Sequence, residues 1–226
     1  MRGERIEFDG NGTPYVGYLS RSDTGSGPGV IVLQEWWGLV DHIQDVADRF
    51  AAEGFTALAP DLYFGEATTE PTRAGELMMA LNIGATEKLL AGAVDRLLAD
   101  DSVTSEKVGV VGFCMGGQLS LFAAATNPKI GACVDFYGIH PKVEPDFAAL
   151  RSPVLGLFAE HDAYASPEAV ALLSAELDRH GKAHEFVTYP GTHHAFFNDT
   201  RPEVFDADAA TDAWKRVVGF FRAHLN

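Results

Sequence analysis

Cysteine is nearly absent from this chain: Cys114 and Cys133 are the only two thiols in 226 residues. No C-x-x-C pair occurs, so the sequence carries neither a disulfide framework nor a dithiol redox motif. Basic residues are also scarce. Seventeen Lys and Arg stand against 32 Asp and Glu, a formal charge of −15. A field of that sign argues against nucleic acid and anionic membrane surfaces as partners. It also means that an anionic substrate needs a local positive site. No run of about 18 apolar residues is present to cross a bilayer. The opening M-R-G-E-R-I-E has no apolar signal segment, so the expected location is the cytoplasm. Repeats, low-complexity tracts and linkers are missing too; the Ser/Gly-rich stretch 22–29 reads as a surface turn between two strands. What remains is 46% hydrophobic, enough for one domain over 1–226 with a sizeable core.

Apolar, β-branched runs alternate with helical patterns along the chain. Residues 6–8 and 15–19 read as a hairpin, followed by strands at 30–34, 55–59, 107–113, 130–137, 154–159 and 184–189. Helices are expected at 41–52, 86–98, 118–126, 167–180 and 206–224, with Asp41 as an N-cap. Ala209, Trp214, Val217, Val218 and Phe221 form the expected core face of the last helix. Residues 65–83 read as irregular. Alternation of this kind specifies an α/β fold, a mostly parallel sheet with helices on both faces. Chemistry then collects at the carboxyl ends of the strands.

Four strand ends carry candidate chemistry. Residues 112–117 read Gly-Phe-Cys-Met-Gly-Gly, between an apolar strand and an Ala/Leu-rich helix. This is a G-x-C-x-G nucleophile elbow, with glycines where a Cβ would clash. It lifts Cys114 to a helix N-terminus, where the dipole favours thiolate, the nucleophilic form. The bland alternative is a small apolar residue packed at a helix start. After strand 154–159 comes Glu160-His161-Asp162, with Asp162 as the orienting acid or, alternatively, a helix-capping loop acid. After strand 184–189 come His193 and His194, which the residues alone do not separate as the base. The order nucleophile, acid, base is that of α/β-hydrolases. After strand 30–34 come Glu35, Trp36 and Trp37. The tryptophans read as the wall of an apolar pocket or as ordinary aromatic packing. In an α/β-hydrolase the backbone N–H groups of Trp36 and Met115 would hold the oxyanion.

Together these residues resemble the dienelactone hydrolase family of α/β-hydrolases. The likeness rests on Q-E-W-W-G at 34–38, A-P-D-L-Y at 59–63, G-F-C-M-G-G at 112–117, E-H-D at 160–162 and Y-P-G-T-H-H-A-F at 189–196. It implies a triad of Cys114, Asp162 and His194, selecting His194 over His193, whose position is usually small in the family. It gives Glu35 contact with the thiol and a part in forming the thiolate. It implies two arginines on a substrate carboxylate. Arg73 stands in the region of one; Asn198 occupies the position of the other, with Arg201 close by. Asparagine cannot make a bidentate clamp. The expected substrate is therefore a neutral aryl or enol ester, or a lactone, held in part by Trp37. No cofactor or metal is expected, and the protein is expected to act as a monomer or small homo-oligomer.

Three rival readings differ in class. A thiol redox protein would use Cys114 as a sensor, with Cys133 inside the sheet and unable to resolve it. A binding module would keep the scaffold without turnover. A metallohydrolase would gather His161, Asp162, His193 and His194, without the helical spacing such sites use.

Overall fold

The strands at the centre of the sheet are the most continuously apolar, because both of their faces are covered. The computed structural model describes residues 3–138 and 140–225. In it β3 (Gly29–Leu33), β4 (Thr56–Pro60) and β5 (Val108–Phe113) are buried at every position. The flanking strands are β1 (Glu4–Asp9), β2 (Pro14–Ser20), β6 (Ile130–Phe136), β7 (Val154–His161) and β8 (His184–His193). The helices are α1 (Asp41–Ala52), α2 (Pro71–Ala80), α3 (Ile83–Leu98), α4 (Met115–Thr126), α5 (Pro167–Arg179) and α6 (Ala207–His224). The sheet order is β1-β2-β4-β3-β5-β6-β7-β8. β2 pairs antiparallel with β1 and β4, and every other neighbouring pair is parallel.

Alternation along β3 divides the core into two layers. Val30 and Val32 meet Ile43, Val46 and Phe50 of α1 and Val217 and Phe221 of α6. Ile31 and Leu33 meet Leu90 and Leu97 of α3 and Leu119 of α4. Register then sets the site. Leu33 lies opposite Gly112, Phe113 opposite Phe136, and Phe136 opposite Leu157. The carboxyl ends of β3, β5, β6 and β7 are therefore level, and β8 joins them where His161 pairs with His193. β4 lies on one side of β3 and β5 on the other, so the winding reverses there and opens a crevice.

Several boundaries differ from the sequence reading. The stretch 65–83 holds a helix, α2, begun by Pro71 at its first turn. Only Ala74 of it is buried, so it lacks the apolar stripe by which a helix is read. Asp41 is not the N-cap of α1; Val40 takes that place without a side-chain bond, and Asp41 sits in the first turn. α3 starts at Ile83, capped by the Asn82 side chain on the Ala85 N–H. α4 starts at Met115, directly from the elbow. On α6, Ala210 and Ala213 join the buried stripe, while Trp214 is half-buried against Phe50 with ring centroids 4.6 Å apart. Among the described residues no single helix is long and apolar enough to cross a membrane; α2 and α3 suffice only together and bend by 87° at their junction.

Candidate active site

Cys114 stands between β5 and α4 with φ 54° and ψ −119°, a left-handed conformation that costs a non-glycine residue roughly 1–3 kcal/mol. The surroundings hold it there. A Cβ on Gly112 would lie 1.8 Å from the Gly116 carbonyl oxygen, and one on Gly116 would lie 2.5 Å from that of Gln34. Both glycines are thus required by close backbone approach, which presses the elbow against the end of β3. The Cys114 N–H donates to Phe136 O at 3.0 Å, tying the turn to β6 as well. The thiol is half-buried.

His194 follows β8, and its Nδ1 lies 2.7 Å from Asp162 Oδ2. Asp162 is fixed in turn: its Oδ1 accepts the N–H groups of Tyr164 at 2.8 Å and Ala165 at 3.0 Å. One carboxylate therefore both shapes the loop before α5 and orients the imidazole, while the cap of α5 is Ser166. Burial disfavours the His194 imidazolium, but hydrogen bonds to Asp162 and Cys114 and their charges outweigh it, raising the pKa to about 10. With Nδ1 turned to Asp162, Nε2 is left for the thiol. His193 is the last residue of β8, exposed, with its ring 5.5 Å from that of His161. Among the described residues no group of three His, Cys, Asp or Glu could hold a metal ion.

These groups open on a cavity of about 780 Å³. Trp36 and Trp37 wall one side, packed edge-on with centroids 5.0 Å apart, and Tyr164 and Met78 contribute elsewhere. The N–H groups of Trp36 and Met115 donate to no protein acceptor among the described residues. Met115 is the first residue of α4, where the N–H is an orphan of the helix and the dipole is positive.

Residues 16–225 match the profile of the dienelactone hydrolase family. The chain belongs to that family. It is 36% identical over 230 residues to Protein usf of Aquifex pyrophilus, covering 99% of each chain. It is 31% identical over 230 residues, again with 99% of each covered, to a protein of Aquifex aeolicus provisionally named carboxymethylenebutenolidase. A crystal structure of a provisionally named dienelactone hydrolase from Klebsiella pneumoniae superposes with a TM-score of 0.87, at 29% identity over 98% of this chain and 99% of that one. The protein is thus an α/β-hydrolase-fold hydrolase of the dienelactone hydrolase type.

The remaining candidates are distributed unevenly around this hydrolase's cavity. Glu35 is 1% exposed and lines it, but its Oε2 accepts a hydrogen bond from Asn198 Nδ2 at 2.7 Å rather than from the thiol. Asn198, expected on substrate, is absent from the cavity wall and buried behind Glu35. Arg73, on exposed α2, is engaged with Glu66 at 2.6 Å and Glu76 at 2.9 Å and does not line the cavity. Its solvent-facing helix was unread in the sequence, which left its direction open. Arg201 does line the cavity, stacked 5.8 Å over Trp37 and bonded to Glu203 at 2.8 Å. Cys133 is fully buried, its thiol donating to Ser120 Oγ at 3.5 Å, and burial pushes its pKa up.

Tyr137 was missed by the sequence reading. It follows β6, has φ 40°, is fully buried, and its hydroxyl has no hydrogen-bond partner among the described residues. Its ring lies 5.0 Å from that of His194. Burial first, then the charges of Glu35, Cys114 and Asp162, raise its pKa well above the ordinary value, so it stays neutral. Its place at a strand's carboxyl end, before Gly138, was the one available signal.

Proposed function

We propose that the protein hydrolyses esters or enol lactones through a thioester on Cys114. The observation that carries this is the placement of three residues: a 2.7 Å bond to Asp162 orients His194, and His194 and the strained elbow thiol of Cys114 line one cavity. His194 Nε2 takes the Cys114 proton, and the sulfur attacks the substrate carbonyl carbon. The Trp36 and Met115 N–H groups hold the oxygen that becomes negative. The tetrahedral adduct collapses, the alkoxide or enolate leaves with the proton from His194, and a thioester remains. His194 then draws a proton from water, the hydroxide attacks the thioester, and the acid departs as the thiolate is released and reprotonated. Asp162 keeps the tautomer and stabilises the imidazolium throughout.

The cavity favours a neutral substrate. Among the described residues its carboxylates are Glu35 and Glu203, and its one guanidinium, Arg201, already pairs with Glu203 and stacks on Trp37. Two indoles suit an aromatic or otherwise flat apolar group. A thiolate expels good leaving groups far more readily than amines, so aryl and enol esters rank above amides. A reactive free thiol suits the reducing cytoplasm, where the protein would act as a monomer or small homo-oligomer on a small molecule. A panel of aryl esters, lactones and dienelactone compared by kcat/KM tests the reading. Neutral aryl or enol esters should lead; preference for dienelactone that Arg201→Ala removes would overturn the neutral assignment.

A further inference from the structure

We propose that Asn198 is a positioning residue for Glu35, a neutral clamp that orients the carboxylate in the cavity it shares with Cys114 without cancelling its charge. The proposal rests on the reading of Glu35 as a group that governs formation of the thiolate. Asn198 and Glu35 lie 163 positions apart in sequence and are 2% and 1% exposed. The amide cannot turn over. Its Nδ2 donates to Glu35 Oε2 at 2.7 Å, while its Oδ1 accepts from the Thr200 N–H at 3.1 Å and the Thr200 hydroxyl at 2.7 Å. Reversal would face oxygen to carboxylate and set the NH2 against the Thr200 N–H. Glu35 is thus gripped by a group whose own orientation is fixed from behind.

The other groups around Glu35 are also uncharged. His42 on α1 and Tyr137 after β6 are buried and feel the Glu35 charge. Burial keeps His42 toward its neutral form, with Nδ1 3.4 Å from Asp199 and its ring edge-on to Phe113 and Phe197. Asp199 is itself bonded to Arg49. Arg201, in the cavity, is held by Glu203. Among the described residues no Lys or Arg forms an ion pair with Glu35. A cation in the place of Asn198 would tie the carboxylate into a fixed pair; an amide orients it and leaves its charge to act on the thiol.

The test follows iodoacetamide labelling of Cys114 against pH, and kcat/KM on an aryl ester, in the full-length protein. Glu35→Gln should move the labelling profile to lower pH. Asn198→Asp, nearly isosteric, puts a second carboxylate against the first, and should move it to higher pH by about one unit. Asn198→Ala should lower kcat/KM about tenfold, the effect of losing a buried hydrogen bond to a charged group. Glu35→Gln/Asn198→Ala should match Glu35→Gln alone, because Asn198 acts only through Glu35. If Asn198→Ala does not fold, Asn198→Asp carries the test. Additive losses in the double variant, or an unmoved Asn198→Asp profile beside a moved Glu35→Gln profile, would overturn the clamp and leave the role of Glu35 standing. An unmoved Glu35→Gln profile would remove that role, and the clamp with it.

Discussion

His193 and His194 are adjacent in sequence but meet different surroundings. His194 bonds Asp162, and Asp162 and Cys114 together favour its protonated form; His193 ends a strand at the cavity beside His161. His194→Ala should therefore lower kcat/KM by about three orders of magnitude, the scale of general acid–base catalysis, and His193→Ala by less than about tenfold. Asp162→Asn should fall between them, since it keeps the shape but loses the charge that sets the tautomer. A damaging His193→Ala and a mild His194→Ala would reverse the assignment. His194 also leaves a mark on stability. Its folded pKa, about 10, lies above the unfolded value near 6.5, so the folded state holds the extra proton. That stabilisation is complete below pH 6.5 and is lost as pH rises through 10, with a slope of at most about 1.4 kcal/mol per unit. Urea midpoints of wild type and His194→Ala should converge over that window; a constant gap would contradict the raised pKa.

At the scale of elements, the elbow and the last helix respond oppositely to the same change. Gly112→Ala drives a Cβ to 1.8 Å from the Gly116 carbonyl, so β5 and α4 must separate. The expected cost exceeds about 3 kcal/mol, in the range of severe core strain. Gly219→Ala, within α6 where nothing lies within 4 Å of the new methyl, should instead stabilise by about 0.5–1 kcal/mol. Thermal melts of the two variants check both signs. The same elements show what the sequence makes legible. β3, β4 and β5 are covered on both faces, and that environment writes itself into unbroken apolar runs. α1 carries its face in Ile43, Val46, Ala47 and Phe50. α2 buries only Ala74, so no stripe announces it. The strand ends that carry Cys114, Asp162 and the His193–His194 pair could be located because topology brings such ends together, while the choice of His194 rested on the family resemblance. The partners of Asn198, Arg73 and Arg201 could not, because they depend on where long loops turn. Asn198 looked like a failed arginine; in the fold it is a buried amide that meets a carboxylate from the far end of the chain.

On the scale of the whole molecule, a chain of formal charge −15 keeps several carboxylates buried, Asp135 among them. Asp135, on β6 beneath the elbow, is fully buried, and among the described residues neither oxygen has a side-chain partner. Its Oδ1 lies so near Gly117 and Gly138 that a Cβ on either would come within 2.2 Å of it. Burial raises its pKa to about 7, which the Gly138 backbone only partly offsets. The unfolded value is near 3.9, so here the folded state holds the extra proton. The sign is opposite to that of a paired carboxylate: stability from this group falls as pH rises from about 4 to 7. Asp135→Asn should gain on wild type across that range in denaturant titrations; a gap that does not widen with pH would refute the buried-acid account. The acidic whole and the indole-walled cavity together point to neutral esters, but the central claim is the covalent step. Intact-mass analysis after rapid mixing with an activated aryl ester tests it most directly. A transient acyl adduct should appear on the Cys114 peptide and decay with product release, and Cys114→Ala should show neither adduct nor turnover. Turnover by Cys114→Ala within about tenfold of wild type, a barrier difference of only about 1.4 kcal/mol, would contradict it.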